Sequence, residues 1–287
     1  MQKNWQGWLY LLPSLLGLVA MIYGPILVVF ALGFTNYDVL NPPRWIGLRN
    51  FVSIFTNPLF WKVLLNTVYF TIATGLASIV FAMVLALFVS AKLRGVGIFR
   101  TIFFIPVIVS MVSAAFVWKW MFNSQFGILN YLLSLLGLPR PLWFDNPRYA
   151  MPALIIMTVW KNVGYNMVIF LAGLRNLPRE MHAAAWIDGA SYAQRLFRIT
   201  LPLLSPTTFF VIVVTLINSF LVFEQSYVMT NGGPANATLT FALLIYNNAF
   251  LYFKMGYASA LSFLFFLLIL AITLMQNLFS KKWVFYQ

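Results

Sequence analysis

Long apolar stretches without a charged side chain alternate along the chain with short segments that carry Lys and Arg. Five such stretches are Trp8–Phe34, Asn66–Ala91, Thr101–Trp118, Leu201–Phe223 and Met255–Ser280, and a sixth, Tyr149–Leu174, carries only Lys161. A helix needs roughly 20 apolar residues to cross a bilayer. The pattern therefore predicts six membrane-spanning helices, at about residues 8–34, 64–91, 100–121, 149–174, 204–228 and 256–280.

Two further apolar runs are less suited to crossing a membrane. Ile128–Leu138 is too short, and Leu239–Phe253 is interrupted by Asn247 and Asn248. Both are expected to be short helices at the membrane interface. The first apolar run is longer than the core of a signal peptide and lacks a clear cleavage site, so we expect it to be a membrane helix.

Composition excludes most other classes of protein. The chain is 62% hydrophobic and 8% charged, with a mean hydropathy of +0.88, whereas soluble domains are about 25% charged. The net charge of +13 comes from Lys and Arg placed between apolar runs, without the dense basic block that binds nucleic acid. No cysteine is present, so disulfides and thiol chemistry are excluded. The predicted fold class is an all-α polytopic membrane protein.

Lys and Arg are enriched in cytoplasmic loops, which predicts the orientation. With a cytoplasmic N-terminus, ten lie inside and six lie on longer outer loops. We therefore expect both termini in the cytoplasm. The ten are Lys3, Lys92, Arg94, Arg100, Arg175, Arg179, Arg195, Arg198, Lys281 and Lys282, and the six are Arg44, Arg49, Lys62, Arg140, Arg148 and Lys254.

One long polar loop, residues 175–206, separates the fourth and fifth predicted spans. Its pattern predicts two short helices with a bend between them. Glu180 suits a first helical turn, and Asp188-Gly189 ends the helix because Gly tolerates the left-handed conformation. Ser191 and Gln194 have the spacing of a capping box that starts a second helix. An amphipathic connector lying on the membrane is the alternative interpretation of this loop.

Two strings in this loop resemble a known family. LPREMHAAAWIDGA, at Leu177–Ala190, and FRITLPLLSP, at Phe197–Pro206, are similar to the cytoplasmic signature of type I ABC importer permeases. The closest resemblance is to the carbohydrate branch, which includes maltose and glycerol-3-phosphate permeases. It covers most of residues 60–287. Further agreement lies at Asn66-Thr67, Arg100–Pro106, Trp160–Leu174, Tyr227–Pro234 and Met255–Ala260.

The resemblance implies a permease subunit whose loop is a coupling helix that docks on a separate ATPase. It implies an N-terminal helix with an outer loop at residues 1–63 and a permease core at residues 64–287. The chain has no phosphate-binding G-x-x-x-x-G-K-[ST] loop, so ATP and Mg²⁺ are expected on the partner. The family usually has Glu where this chain has Ala183. The residues implied in coupling are Glu180, Ala183, Ala184, Ala185, Asp188, Gly189 and Ala190.

The resemblance also implies partners: a second permease subunit, two ATP-binding subunits and an extracytoplasmic substrate-binding protein. The substrate would be an oligosaccharide or a sugar-like polyol. A bacterial or archaeal cytoplasmic membrane is the expected location.

Polar side chains inside the predicted spans are candidates for the substrate pathway. Charges there are costly, which favours a functional role for Lys161 and Glu224. Aromatic and amide groups nearby suit stacking on a sugar ring and bonding to its hydroxyls. Interfacial anchoring and helix pairing are the alternatives. The pathway candidates are Trp160, Lys161, Asn162, Tyr165, Asn166, Asn218, Glu224, Gln225 and Tyr227.

No catalytic or metal-binding constellation is predicted, since the only histidine is His182 in the loop. Two other classes remain as alternatives to the importer permease. An ion-coupled secondary carrier would use membrane carboxylates and usually internal repeats. A lipid-modifying membrane enzyme would need a cluster of acid, base and nucleophile. Neither alternative explains the loop signature.

Overall fold

The computed structural model describes residues 5–90 and 95–285, and these are helical apart from turns and one isolated β-bridge between Thr35 and Trp45. Four helical segments are long and apolar enough to cross a membrane, or up to six when each of two bent helix pairs is counted as one span. The α-helices α1 to α14 are, in order, Trp5–Leu18, Gly24–Leu32, Arg49–Thr56, Pro58–Ser90, Val96–Ile108, Met111–Met121, Ile128–Leu135, Pro147–Arg175, Arg179–Ile187, Tyr192–Arg195, Leu201–Leu203, Ser205–Phe220, Phe241–Tyr246 and Met255–Ser280.

The described residues also include four single-turn π-helices. Val19–Tyr23 joins α1 to α2, so that Tyr10–Leu32 is one continuous helical segment. The others are Leu196–Thr200, Ser226–Thr230 and Asn247–Leu251. The two apolar runs expected to form short helices do so, as α7 and as α13 with its π-helical extension. Their location at the membrane interface stays a prediction.

Two predicted spans are not straight helices. The third, predicted over 100–121, is α5 and α6, which meet at an angle of 102°. Val109 and Ser110 at the junction have extended backbones. The fifth, predicted over 204–228, is wrong at its far end, because α12 stops at Phe220 and residues 221–223 are non-helical.

The described residues group into two compact units, residues 1–62 with 244–268 and residues 63–243 with 269–287. In the first unit, Gly33 packs against the backbone of Ala260, and Phe30 contacts Phe263 with ring centroids 4.5 Å apart. The Asn50 amide donates to the Gly33 carbonyl at 2.8 Å. The division predicted at residue 63 stays a prediction.

The second unit is built around α8. Asn146 starts this helix by accepting the Arg148 N–H, and Pro147 occupies its first position, where a missing N–H costs nothing. Two apolar clusters surround α8, one containing Leu154 and Met157 and the other Met167 and Phe170. More than half of the residues in the most apolar part of α8 are buried, whereas none are buried in the most apolar part of Tyr10–Leu32.

Candidate functional site

The 175–206 loop, called the signature loop below, folds as the predicted helix–bend–helix. The first helix is α9, Arg179–Ile187, and its first turn holds Glu180. A carboxylate there interacts favourably with the exposed N–H groups of the helix terminus. The second helix, α10, begins at Tyr192 and continues through the π-turn Leu196–Thr200 towards α12.

The bend is a Schellman motif centred on Gly189. The Ala190 N–H donates to the Ala185 carbonyl at 2.9 Å, and the Gly189 N–H donates to the Trp186 carbonyl at 3.1 Å. These two bonds satisfy carbonyls that the end of α9 would otherwise leave unpaired. Gly189 has a φ of +75°, a conformation that residues with a side chain rarely adopt. The break predicted at Asp188-Gly189 is therefore confirmed.

A capping box starts α10, as the sequence predicts. The Ser191 N–H donates to the Gln194 side-chain oxygen at 2.7 Å, and the Gln194 N–H donates to the Ser191 hydroxyl oxygen at 3.3 Å. Only four residues, 188–191, separate the two helices, and the bonds of both caps hold them. The direction of α10 relative to α9 is thus fixed by hydrogen bonds within the loop.

The signature loop presents an apolar surface. Trp186 is 71% exposed and Ile187 is 83% exposed, and Met181 and Tyr192 are also exposed. Large apolar side chains gathered on one exposed segment are typical of an interaction surface. The candidate coupling residues share this exposure: Glu180, Ala183, Ala184, Asp188 and Gly189 are exposed, and Ala185 and Ala190 are partly exposed.

Lys161 lies in the interior of the second unit rather than on its surface. It is 8% exposed, and its ammonium donates to the Val107 carbonyl at 3.0 Å. Val107 is in the last turn of α5, where carbonyls lack helical partners and carry partial negative charge. Lys161 therefore caps the helix end at the bend between α5 and α6.

Two other pathway candidates form hydrogen bonds between elements. The Asn166 amide on α8 donates to the Thr215 hydroxyl on α12 at 3.0 Å. The Gln225 amide donates to the Thr158 hydroxyl on α8 at 3.3 Å. All four side chains are buried. Buried polar groups of this kind hold membrane helices together, so these two candidates stabilise the packing of α8 against its neighbours.

The remaining candidates reach the surface of the chain. Trp160 and Tyr165 are both exposed on α8, and Trp160 also contacts Trp118 edge-on, with ring centroids 5.4 Å apart. The structure thus divides the predicted set into a buried group and an exposed group. The exposed group is Trp160, Tyr165, Asn218, Glu224 and Tyr227, with Asn162 partly exposed.

Glu224 begins the helical turn that follows the break at residues 221–223. It lies near enough to Lys161 for their opposite charges to attract. Lys119, at the end of α6, donates to the Val228 carbonyl at 3.1 Å. Depth along the predicted spans favours either a contact between Lys119 and Glu224 or a Glu224 that faces a wet cavity alone, over a direct pair of Glu224 with Lys161. The hydrogen bond of Lys119 goes to the backbone.

The segment after Glu224 is tied down by residues whose role the sequence did not reveal. The Asn66 amide on α4 donates to the Asn236 carbonyl at 2.8 Å. The Thr67 hydroxyl accepts the Phe241 N–H at 3.0 Å. Asn66-Thr67 is part of the family resemblance, but its partners lie about 170 residues away along the chain, so no local pattern could identify them.

An all-α chain with several membrane-length helices and an exposed, doubly capped loop between two of them has the architecture of a membrane permease. The model of the family described as binding-protein-dependent transport system inner membrane component matches residues 9–284. The chain belongs to this family, and it is an inner-membrane component of an ABC importer.

Similar proteins extend over nearly the whole chain. A probable ABC transporter permease protein, YesP of Bacillus subtilis, is 36% identical over 100% of this chain and 94% of its own length. The trehalose/maltose transport system permease protein MalF of Thermococcus litoralis is 33% identical over 93% of this chain and 91% of its own length. A bacterial ABC transporter that imports the acidic polysaccharide alginate contains a chain with the same fold, with a TM-score of 0.86 at 24% identity, covering 98% of this chain and 96% of that one.

Lys161→Met should lower the stability of the folded chain. The substitution keeps the apolar stem but leaves the partly buried Val107 carbonyl without its donor, which costs about 1–3 kcal/mol. Lys119→Met is the matched control, because Lys119 also donates to a backbone carbonyl but at an exposed position. Thermal unfolding in detergent should show a clear loss for Lys161→Met and a small one for Lys119→Met. Equal melting temperatures would contradict the capping role.

Proposed function

We propose that this chain is a carbohydrate permease that moves an oligosaccharide or a sugar-like polyol into the cytoplasm. The observation that carries the proposal is its likeness over nearly the whole chain to the trehalose/maltose permease protein. The exposed group of pathway candidates supports it, because aromatic rings together with amide and carboxylate groups suit the apolar and hydroxyl faces of a sugar.

The signature loop is the coupling element of this proposal. ATP and Mg²⁺ are bound by a partner subunit, and this chain performs no hydrolysis itself. The exposed Trp186 and Ile187 pack into that subunit, and the small side chains of Ala183 and Ala184 permit close approach. Because the caps fix the bend, a displacement of the ATPase moves the loop and α12 together, which is rigid-body gating. Ala183 stands where the family carries Glu, so Glu180, one turn earlier, is the acidic residue of this surface.

The exposed group of candidate residues forms one wall of the substrate pathway. A second permease subunit supplies the facing wall, two ATP-binding subunits bind below, and an extracytoplasmic binding protein delivers the sugar. The charge of Glu224 supports this placement, since an ionised side chain facing lipid costs several kcal/mol. Trp160 and Tyr165 present aromatic faces to the same route.

The proposal is tested by purifying the tagged full chain from its native membranes and measuring sugar uptake in a deletion strain. We expect an ATP-binding subunit and a second permease to co-purify, and uptake of at least one oligosaccharide to be lost and restored by the cloned gene. Purification without any ATP-hydrolysing partner would reject the importer assignment. Normal uptake of every sugar in a broad panel would reject the carbohydrate assignment alone.

Glu224→Gln should reduce sugar uptake by about tenfold without changing the amount of protein in the membrane. The substitution keeps the shape of the side chain and removes the charge that faces the pathway. Asp38→Asn is the control, because it removes an exposed carboxylate that bonds to nearby Asn41 in a connecting loop. Uptake assays paired with immunoblots of the membrane fraction separate transport from abundance. Unaltered uptake by Glu224→Gln would remove Glu224 from the pathway.

The orientation proposed here places both termini and the signature loop in the cytoplasm of a bacterial or archaeal cell. It rests on the distribution of Lys and Arg, of which Lys3, Lys92 and Arg94 lie outside the described residues. The chain has no cysteine, so single cysteines can report sidedness without further engineering. Leu40→Cys and Leu136→Cys should react with an impermeant maleimide in intact cells. Ile187→Cys should react only after permeabilisation, and the opposite pattern would invert the topology.

A further inference from the structure

A cavity of about 450 Å³ lies between the end of α4, the start of α5 and the end of α8. Two arginines line it, Arg100 and Arg175. The other described residues that line it are Val89, Ser90, Val96, Gly97, Leu171 and Leu174. None of the described lining residues is acidic, and the sequence has only five Asp and Glu. Two guanidinium groups therefore share one cavity without a carboxylate among its described lining residues to neutralise them.

Arg100 differs from an ordinary arginine at a membrane interface. Such side chains usually extend so that the guanidinium reaches water. Here the Nε of Arg100 is buried and has no hydrogen-bond partner. The Nε of Arg195 is also buried without a partner, although Arg195 does not line the cavity. Arg100 does line it, so an acceptor in the cavity would bond to the other nitrogens of its guanidinium group.

The backbone around Arg100 adds to the positive character of the cavity. α5 begins after its N-cap residue Gly95, which has no side chain to bond the first N–H groups of the helix. Helical side chains lean towards the N-terminus, so Arg100 extends towards this uncapped turn. No atom of the described residues outside the helix lies within 4 Å of the position that a side chain on Gly97 would take. The Ser90 hydroxyl donates to the Leu87 carbonyl at 2.7 Å, so it is not counted among the donors for a ligand.

We propose that Arg100 and Arg175 bind a phosphate oxyanion in this cavity, carried by an anionic lipid headgroup or by a small phosphorylated solute. Planar guanidinium groups match the geometry of phosphate oxygens, and both sources present the same chemistry. Basic pockets between membrane helices near the cytoplasmic surface are suited to such headgroups. The proposal relies on the proposed orientation only for the leaflet that supplies the lipid.

The test uses the full chain, with whatever subunits accompany it, in nanodiscs of phosphatidylcholine with or without phosphatidylglycerol. Native mass spectrometry counts the phosphatidylglycerol molecules that remain bound. We expect Arg175→Gln and Arg100→Gln to weaken retention of one such lipid by about tenfold. Arg148→Gln, which removes an exposed arginine on another segment, should retain it. A second arm adds inorganic phosphate or glycerol phosphate to phosphatidylcholine nanodiscs and measures thermal stabilisation.

The outcomes separate the two sources. Arginine-dependent retention of phosphatidylglycerol supports the lipid, and arginine-dependent stabilisation by the soluble phosphates supports the solute. The proposal is overturned if neither response depends on Arg100 or Arg175, or if Arg148→Gln loses as much as they do. Should Arg100→Gln fail to accumulate, Arg175→Gln carries the test, because that side chain is exposed. The readout needs no transport, so failure of the permease proposal would leave this result interpretable.

Discussion

Gly189→Val should lower sugar uptake by about tenfold or more while the protein remains inserted in the membrane. Gly189 has a φ of +75°, which costs L-residues roughly 1–2 kcal/mol, and valine is among the least tolerant. Relief of that strain breaks the Schellman bonds and changes the direction of α10 relative to α9. ATP hydrolysis by the purified complex should then no longer respond to sugar-loaded binding protein. Normal uptake by this variant would overturn the coupling assignment.

Gly137→Val provides a matched control for backbone strain. Gly137 has a φ of +68° and ends α7 with the same motif, since the Leu138 N–H donates to the Leu133 carbonyl at 2.9 Å. No other atom comes within 4 Å of the side-chain position at either glycine. Only the substitution in the signature loop should uncouple hydrolysis from transport. Gly189→Asn should retain most activity, because asparagine tolerates the left-handed conformation.

Gly164→Ala should prevent most of the expressed protein molecules from folding. A methyl group at Gly164 would collide with the backbone carbonyl of Phe103 on α5. Forcing atoms into a packed interface costs about 1–3 kcal/mol, and more when the obstacle is backbone that cannot rotate away. The separation of α8 from α5 would also strain the Lys161 bond one turn earlier. Fluorescence-detected size-exclusion chromatography should show a severalfold loss of monodisperse protein.

Gly17→Ala is the control for the glycine-to-alanine exchange itself. Gly17 lies inside α1, and nothing comes within 4 Å of the position its side chain would take. Alanine favours a helix by about 1 kcal/mol relative to glycine, so the yield of Gly17→Ala should equal or exceed that of the parent. Comparable losses for both variants would mean that the Phe103 contact does not limit folding.

The signature loop could be predicted in detail because its structure is specified locally. Gly189, Ser191 and Gln194 act through hydrogen bonds between near neighbours along the chain, and the sequence shows each of these caps as a short pattern. The apolar stretches likewise specified helices of membrane length. Local rules suffice wherever the hydrogen-bond partner is a near neighbour along the chain.

The bends could not be predicted in this way. Pro106 lies two residues before the end of α5, and Pro152 lies inside α8, which remains one continuous helix. The same residue type thus precedes a bend of 102° in one helix and none in the other. The difference lies in long-range contacts, including the bond from Lys161 to Val107, which stabilises an open helix end. A single sequence does not reveal that pairing.

Composition also could not predict which pathway candidates are buried and which are exposed. Residue type alone groups Lys161, Asn166 and Gln225 with Trp160 and Tyr165 as pathway candidates. The structure shows that the first three are buried. Helical periodicity indicates that Lys161 and Gly164 share one face of α8. It does not indicate which helix packs against that face.

The buried and exposed pathway candidates on α8 are subject to different constraints on substitution. The buried side chains Lys161 and Asn166 hold other parts of the chain in place, so their substitution threatens the fold. Trp160 and Tyr165 face outward from the same helix, and the bonds made by Lys161 and Asn166 do not involve them. In the proposed pathway, exchange of these two residues would alter which solute is accepted while the scaffold is preserved. Laboratory selection for new substrates should therefore begin at these positions.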